Sequence, residues 1–336
     1  MIETILKRLL ITIPTLLALT FILFSMIKAV PGDPAQIMLG DRASPEALEK
    51  VREELGLNKP FMVQYGLYLK KLVLEGDLGR SIKSEEKISE IISQKLPATI
   101  ELAIGAMLFA CLLGIPIGMI ASYKPGSIFD FTAMAGAVVG VSMPVFWLGL
   151  LLMLFFGLDL GWFPISSRLS VDYYYEPVSG FLLFDSLYHE GDFDMFKDAL
   201  SHLVLPSITL GTIPMAFLAR MTRSSMLESL SQDYIRTAKA KGLSFLSVYV
   251  KHAFKNASIP ILTVTGLQFG TLLGGAMITE TIFAWPGMGR WVLDSVSARD
   301  FPAIEAGVLV IASCFILINL AVDLGYKVLD PRVRNS

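Results

Sequence analysis

The sequence predicts an all-α polytopic membrane protein with six transmembrane helices. Three observations lead there. Charged residues are only 17% of the 336 and hydrophobic ones 54%, whereas soluble domains hold roughly a quarter charged residues. The apolar residues gather into six runs, each long enough for a hydrocarbon layer of about 30 Å. Basic residues crowd into alternate connections between those runs. The net charge of −2 also lacks the strongly basic balance that a nucleic-acid partner wants.

Lys7 and Arg8 precede the first run, residues 9–26. That run exceeds a signal-peptide core of about 7–15 residues, and no small-x-small cleavage pattern follows it. Residues 1–30 therefore read as an uncleaved first span, in which Pro14 is tolerable. Residues 31–96 turn soluble in composition. Ser44 and Pro45 are a cap and first-turn pair for a helix that Gly56 ends. A second helix covers about residues 61–74, before Gly76 and Gly79, and a third runs over 86–95 into Pro97. Charges of both signs recur here, which suits a solvated helical subdomain.

Residues 97–328 hold the remaining five runs. The second span covers 98–121, and a short SYKPGS turn leads to the third, 129–158. Ser142, Met143 and Pro144 break that third run at mid-membrane depth. Such backbone survives only where protein or a cavity surrounds it, which makes these three residues pathway candidates; a packed proline kink explains them equally. The fourth span covers 203–221 and the fifth 259–283. On the fifth, Thr265, Gln268 and Thr271 recur at near-helical spacing, beside Gly270, Gly274 and Gly275. The glycines read as close helix packing and the polar stripe, with Glu280 near the outer end, as further pathway candidates. The sixth span covers 302–327, and residues 329–336 form a tail. Cys111 and Cys314 both lie in apolar runs, so no disulfide framework is expected.

Charge sets the orientation. One set of segments holds Lys7, Arg8, Lys124, Arg220, Arg223, Arg236, Lys239, Lys241, Lys251, Lys255, Lys327, Arg332 and Arg334. The opposite loops after the third and fifth spans hold only Arg168, Lys197, Arg290 and Arg299. Both termini and the 223–256 loop are therefore expected in the cytoplasm, and residues 31–96 outside. The outer loop 159–202 is acidic, with Asp159, Asp172, Glu176, Asp185, Glu190, Asp192, Asp194 and Asp198. A solvated loop is its default reading, ahead of a docking surface.

The stretch 232–260 is polar and basic between two long apolar runs. It reads as two short helices broken at Gly242. Ser231 is the expected N-cap, with Asp233 in the first turn and Lys239 and Lys241 in the last. Gly242 fits the residue past the helix end, where positive φ costs glycine little. Ser244 opens a second helix, with Leu246, Val250 and Ala253 expected on one face.

The run DYIRTAKAKGL in this stretch resembles the cytoplasmic "EAA" loop of ABC-importer permeases, in its peptide and nickel variant. The family's Glu-Ala-Ala falls on Arg236, Thr237 and Ala238, so only Ala238 and Gly242 match the general pattern. Further phrases resemble the same branch: VPGDP (30–34), ELGLNKP (54–60), GDLGRS (76–81), LPATIEL (96–102) and TETIFAWPGMGRW (279–291). The long outer loop, with its GFLLFDS segment, is similar to the dipeptide subgroup. The resemblance implies a type I (MetI-like) permease architecture with an extracytoplasmic helical insertion between spans one and two. It also implies a second homologous permease, two cytoplasmic ATPases carrying ATP and Mg, and an external solute-binding protein, in a prokaryotic cell membrane. Tyr234, Arg236, Thr237, Ala238, Lys239 and Gly242 would then form the coupling element that an ATPase grips.

What is missing agrees. No Gly-Lys dipeptide occurs, hence no phosphate-binding P-loop. His189, His202 and His252 have no zinc-ligand spacing, and no nucleophile arrangement stands out, so no catalytic residue, metal or cofactor is assigned to this chain. A proton-coupled carrier would show paired intramembrane charges, yet Glu101, Glu280 and Asp323 lie near span ends. The implied solute is a short peptide, most narrowly a dipeptide. Oligosaccharides and nickel are the alternatives within the branch, though a nickel path calls for His or carboxylate ligands along the spans.

Overall fold

The computed structural model describes residues 2–29, 36, 44–54, 56–188 and 191–329. The phrase at 30–34, His189, Glu190 and the tail beyond residue 329 lie outside the described residues. Those described are helical, with turns and a single isolated bridge between Arg80 and Lys87. Among the described residues five helices are long and apolar enough to cross a membrane, and a bent pair makes a sixth if it crosses as one. The chain forms two compact units, residues 2–93 with 291–313, and residues 94–290 with 314–336.

In the first unit, α1 (Ile2–Ala29) is the first span. Over Leu10–Ala29 its apolar side chains mostly face outward, as lipid requires; only 11% of that apolar window is buried. The following α2 (Pro45–Glu54) has Ser44 accepting from Ala47 N at 3.2 Å. Next, α3 (Phe61–Lys70) tightens into π turns over Lys71–Glu75 and stops at Gly76, φ 62°. This helix departs from the expected solvated subdomain. It leans on α1 through Phe21 and Phe24 against Phe61, Tyr65 and Tyr68, with ring centroids 5.3–5.9 Å apart. The Tyr65 hydroxyl also reaches the Leu17 carbonyl at 3.0 Å. Within GDLGRS, Ser81 donates to Asp300 at 2.5 Å, and Asp300 also accepts from Ala303 N at 3.3 Å.

The helix expected at 86–95 is not separate. It is the first part of α4 (Ile88–Tyr123), which carries Pro97 and Pro116 in its interior. A membrane helix can absorb the lost backbone bonds, so proline did not end it.

In the second unit, α5 (Ile128–Ser142) and α6 (Val145–Leu152) meet at a bend of 103° over Met143 and Pro144, and π turns prolong α6 over Met153–Asp159. The break expected at these residues is present. A short α7 (Leu182–Tyr188) precedes α8 (Phe193–Leu230), whose 38 residues reach about 57 Å at 1.5 Å per residue. α8 begins ten residues before the expected span because Asp192 caps it, accepting from Asp194 N and Met195 N at 2.9 and 3.0 Å. It is the core of the unit: 67% of its apolar window is buried, the highest of the spans. Then come α9 (Asp233–Ala240) and π turns over Ser247–Phe254 that run into α10 (Lys255–Ile282). α11 (Met288–Ser297) and α12 (Phe301–Leu329) follow in the chain, their residues 291–313 belonging to the first unit.

Glycines let α4 and α8 touch backbone to backbone. A Cβ on Gly114 would lie 2.6 Å from the Met215 carbonyl oxygen, and one on Gly118 would strike the Ala219 carbonyl and lie 2.6 Å from Thr222 Cβ. On α10 the expected packing holds for Gly270, whose Cβ would meet the Phe315 ring at 3.1 Å, but Gly274 and Gly275 have nothing within 4 Å. Gly118→Val should therefore lower the thermal unfolding midpoint of the purified subunit, at a cost of about 1–3 kcal/mol. Gly274→Ala, facing open space, should leave it nearly unchanged. Equal midpoints for the two would contradict the close contact.

Candidate functional site: the loop 231–254

The loop 231–254 is built on the end of α8. Ser231 closes α8 and bonds back to the Glu228 carbonyl at 2.7 Å. It is not the cap of α9; Gln232 holds that position without a side-chain bond. On α9, Ile235 and Ala238 are buried, while Arg236, Thr237 and Lys239 face out. Arg236 pairs with Asp233 at 3.3 Å on the surface, and Thr237 bonds to the Asp233 carbonyl at 3.1 Å. Ala238, named with these residues in the coupling element, packs inward instead.

α9 ends in a complete Schellman motif. Leu243 N bonds to the Ala238 carbonyl at 3.4 Å and Gly242 N to the Lys239 carbonyl at 3.0 Å. Gly242 has φ +73° and open space around its Cβ position. Glycine is needed there for its backbone angle alone. The following segment is not a short separate helix but the start of a 36-residue stretch. Its π turns rotate the side chains, so Val248, Tyr249 and Ala253 are buried while Leu246 and Val250, expected beside Ala253, are exposed. Tyr123, Leu230, Lys239, Leu243, Phe245, Val248 and Tyr249 line an open groove of about 380 Å³ beside α9.

Two polar clamps hold this end together, and sequence reading found neither. Arg223 grips Asp130 side-on, Nε and Nη2 donating to the two carboxylate oxygens at 2.5 and 2.7 Å, and Asp130 also accepts from Gly126 N at 2.9 Å. The α4–α5 turn is thereby tied to α8. Tyr249 and Ser122 lie 2.6 Å apart and both reach the Met119 carbonyl, at 2.5 and 2.8 Å. The signal for the first was Asp130 itself, an acid in a basic segment three residues after a capping serine.

The pathway candidates are scattered. At the bend, Ser142 and Pro144 are exposed, and Ser142 bonds to its own helix at Val138 O, 2.8 Å. Met143 is partly buried in extended backbone. Thr265 lines an apolar pocket of about 430 Å³ with Met107, Leu262, Phe269 and Ile318. Gln268 is half-buried, and Thr271, exposed, bonds to the Gln268 carbonyl at 2.7 Å. Glu280 is fully buried and already engaged. It accepts from Thr99 at 2.6 Å and from Arg290 N at 2.9 Å, while Thr99 accepts from Met288 N at 2.8 Å. A Cβ on Gly287 would overlap this carboxylate, and Trp285 donates to the Ala98 carbonyl at 2.9 Å. The TETIFAWPGMGRW phrase is thus folded around one glutamate. Glu305, passed over in the sequence, bonds Tyr68 near Lys28.

The acidic loop 159–202 is no solvated tether. Arg168 pairs with Glu101 and also donates to the Gly180 carbonyl at 2.9 Å. Asp185 is fully buried, taking Tyr175 and Ser179 hydroxyls at 2.5 Å each and the backbone amides of Val178, Ser179 and Gly180. Ser170, Asp198 and His202 meet, but not as a hydrolytic triad. Asp198 takes the Ser170 hydroxyl at 2.7 Å, and His202 Nδ1 lies 2.9 Å from the Ser166 carbonyl.

Two family models cover nearly all of this architecture. The binding-protein-dependent transport system inner membrane component matches residues 114–335, and the N-terminal model of such membrane components matches residues 1–103. The chain belongs to this permease family. The permease is 51% identical over 331 residues, 98% of each chain, to a dipeptide transport system permease of Alkalihalophilus pseudofirmus. It is 47% identical, over the full length of both, to one from Escherichia coli, and 41% identical over 99% of each to a glutathione transport permease of Salmonella choleraesuis. An inward-facing MetNI methionine ABC transporter shares the fold, with a TM-score of 0.55 at 15% identity over 72% of this chain and 97% of that one. The permease is the multi-pass membrane subunit of an ABC importer, and ATP hydrolysis belongs to partner ATPase subunits.

The Asp185 node gives a pH signature. Burial opposes its ionisation, but donors from Ser179, Tyr175 and Val178 outweigh that and hold its carboxyl below the ordinary 3.8. A lowered folded-state value means stabilisation that is complete above the unfolded-state value and lost as pH falls through the folded one. The unfolding midpoint of the parent should therefore exceed that of Asp185→Asn at neutral pH, with the gap closing only below the ordinary carboxyl value. A constant gap down to strong acid would refute this.

Proposed function

We propose that this permease imports short peptides, most narrowly dipeptides, and that its α9 seats in a groove of a cytoplasmic ATPase. The observation that carries the solute reading is full-length similarity at 47–51% to permeases named for dipeptides. The glutathione relative widens the class to small peptide derivatives without leaving it. A cavity that accepts peptides of any side chain has little use for fixed charges, and Ser142, Met143, Pro144, Thr265, Gln268 and Thr271 supply hydroxyl, amide and apolar groups. Glu280 is better read as the anchor of its loop than as a solute ligand.

The complex we propose has a second, non-identical permease, two ATPases with ATP and Mg, and an external binding protein. Both termini and α9 lie in the cytoplasm, on the charge asymmetry of the connections. The outward Tyr234 ring, Arg236, Thr237 and Lys239 form the docking face, and the Schellman turn at Gly242 sets its angle. Gly242→Asp should insert normally yet lose most solute-driven transport, because a non-glycine residue at this positive φ costs about 1–2 kcal/mol and reorients α9. Parental transport in reconstituted vesicles would remove the coupling assignment. For the solute, the reconstituted complex with its binding protein should raise its ATPase rate with di- and tripeptides. Stimulation by an oligosaccharide or by nickel alone would overturn the peptide reading.

A further inference from the structure

The docking face accounts for one side of α9; the other side carries a hydrogen-bond chain with a fixed direction. The Tyr234 hydroxyl lies 2.5 Å from Ser229 Oγ, on the last turn of α8. Ser229 Oγ in turn lies 2.9 Å from the backbone carbonyl of Ala253, at the end of the π turns that lead into α10. A carbonyl only accepts, so the single Ser229 hydrogen goes to Ala253. The Tyr234 hydroxyl must then donate to Ser229. The chain Tyr234 to Ser229 to Ala253 is short, and its inner members are buried: Ser229 is 6% exposed and Ala253 0%. It joins three elements, α9, the end of α8 and the start of α10, at one point.

The apolar contacts under α9, from Ile235 and Ala238, are non-directional and permit sliding. A hydrogen bond does not, because it weakens steeply with angle and distance. We propose that Tyr234 is a positioning residue that transmits displacement of α9 into α8 and α10 through Ser229. This rests on the reading of α9 as the ATPase-docking helix and adds what happens on its inner side. α8 is the most buried span and α10 packs along it, so a pull at Ser229 reaches the helices at the centre of the unit. Tyr249, bonded to Ser122 and to the Met119 carbonyl of α4, and Arg223, bonded to Asp130, extend the same linkage to the ends of α4 and α5.

The test uses the full complex with its ATPases and binding protein in vesicles, and reads peptides imported per ATP hydrolysed. Tyr234→Phe removes one oxygen and keeps the ring, and Ser229→Ala removes the middle member. Each should lower the ratio about three- to tenfold, the scale of one buried hydrogen bond. The double variant should fall no further than either single, because both cut the same chain. Ratios that multiply in the double variant, or a parental ratio in Tyr234→Phe, overturn the relay. A cysteine at Arg236, cross-linked to the ATPase, reads docking separately. A normal cross-link with a lowered ratio supports transmission, and a missing cross-link in the parent background sinks the docking reading itself.

Discussion

A polar group left without a partner in hydrocarbon costs several kcal/mol, and this chain places four of its buried carboxylates where backbone leaves a helix. Asp130 receives the Gly126 amide in the turn before α5, and Glu280 receives the Arg290 amide just past α10. Asp300 caps the start of α12, and Asp185 gathers three amides at the approach to α7. In each case one carboxylate satisfies orphan donors that a loop would otherwise have to expose to water. That accounts for these four charges at helix ends by backbone satisfaction alone. A carrier that moves protons needs carboxylates free to titrate; of these four, all are committed to fixed donors.

The spans themselves pack by a different rule. Apolar side chains gain little by leaving lipid for protein, so association rests on close van der Waals contact. Gly114 and Gly118 meet it by bringing α4 against carbonyls of α8. The burial gradient follows: α8 is enclosed while α1 is lined almost wholly by outward apolar residues. Gly274 and Gly275 stand apart, because small residues in open space contribute nothing within the single chain.

Span positions, the bend at Met143 and Pro144, and the glycine stop after α9 were legible in the sequence, since each follows from local composition or from one residue's backbone preference. Helix continuity was not. Pro97 and Pro260 look like breaks by soluble-protein rules, yet both sit inside long helices, because a membrane helix keeps its hydrogen bonds wherever it can. The face carrying Val248 and Tyr249 was also misjudged, since π turns shift the repeat away from 3.6 residues. The clamps were invisible for a simpler reason. Arg223 and Asp130 lie 93 residues apart, and Thr99 and Glu280 181 apart, so no window of sequence contains both partners.

Tyr234 shows where the two kinds of reading meet. By sequence it belongs with Arg236 and Lys239 on the solvent side of a basic helix. The residue is indeed 39% exposed, but its hydroxyl turns inward to Ser229. A phenylalanine there would offer nearly the same apolar edge to a partner, so docking alone does not require the oxygen. What requires it is the buried serine, whose only hydrogen is held by Ala253 and whose lone pair would otherwise face apolar neighbours. Tyrosine is the side chain that gives a partner a ring and the core a donor at the same position, with two rotatable bonds to hold the geometry. The outer face of α9 and its inner seat are therefore not independent. Any substitution there acts on both, and the two effects separate only when docking and transport per ATP are measured apart.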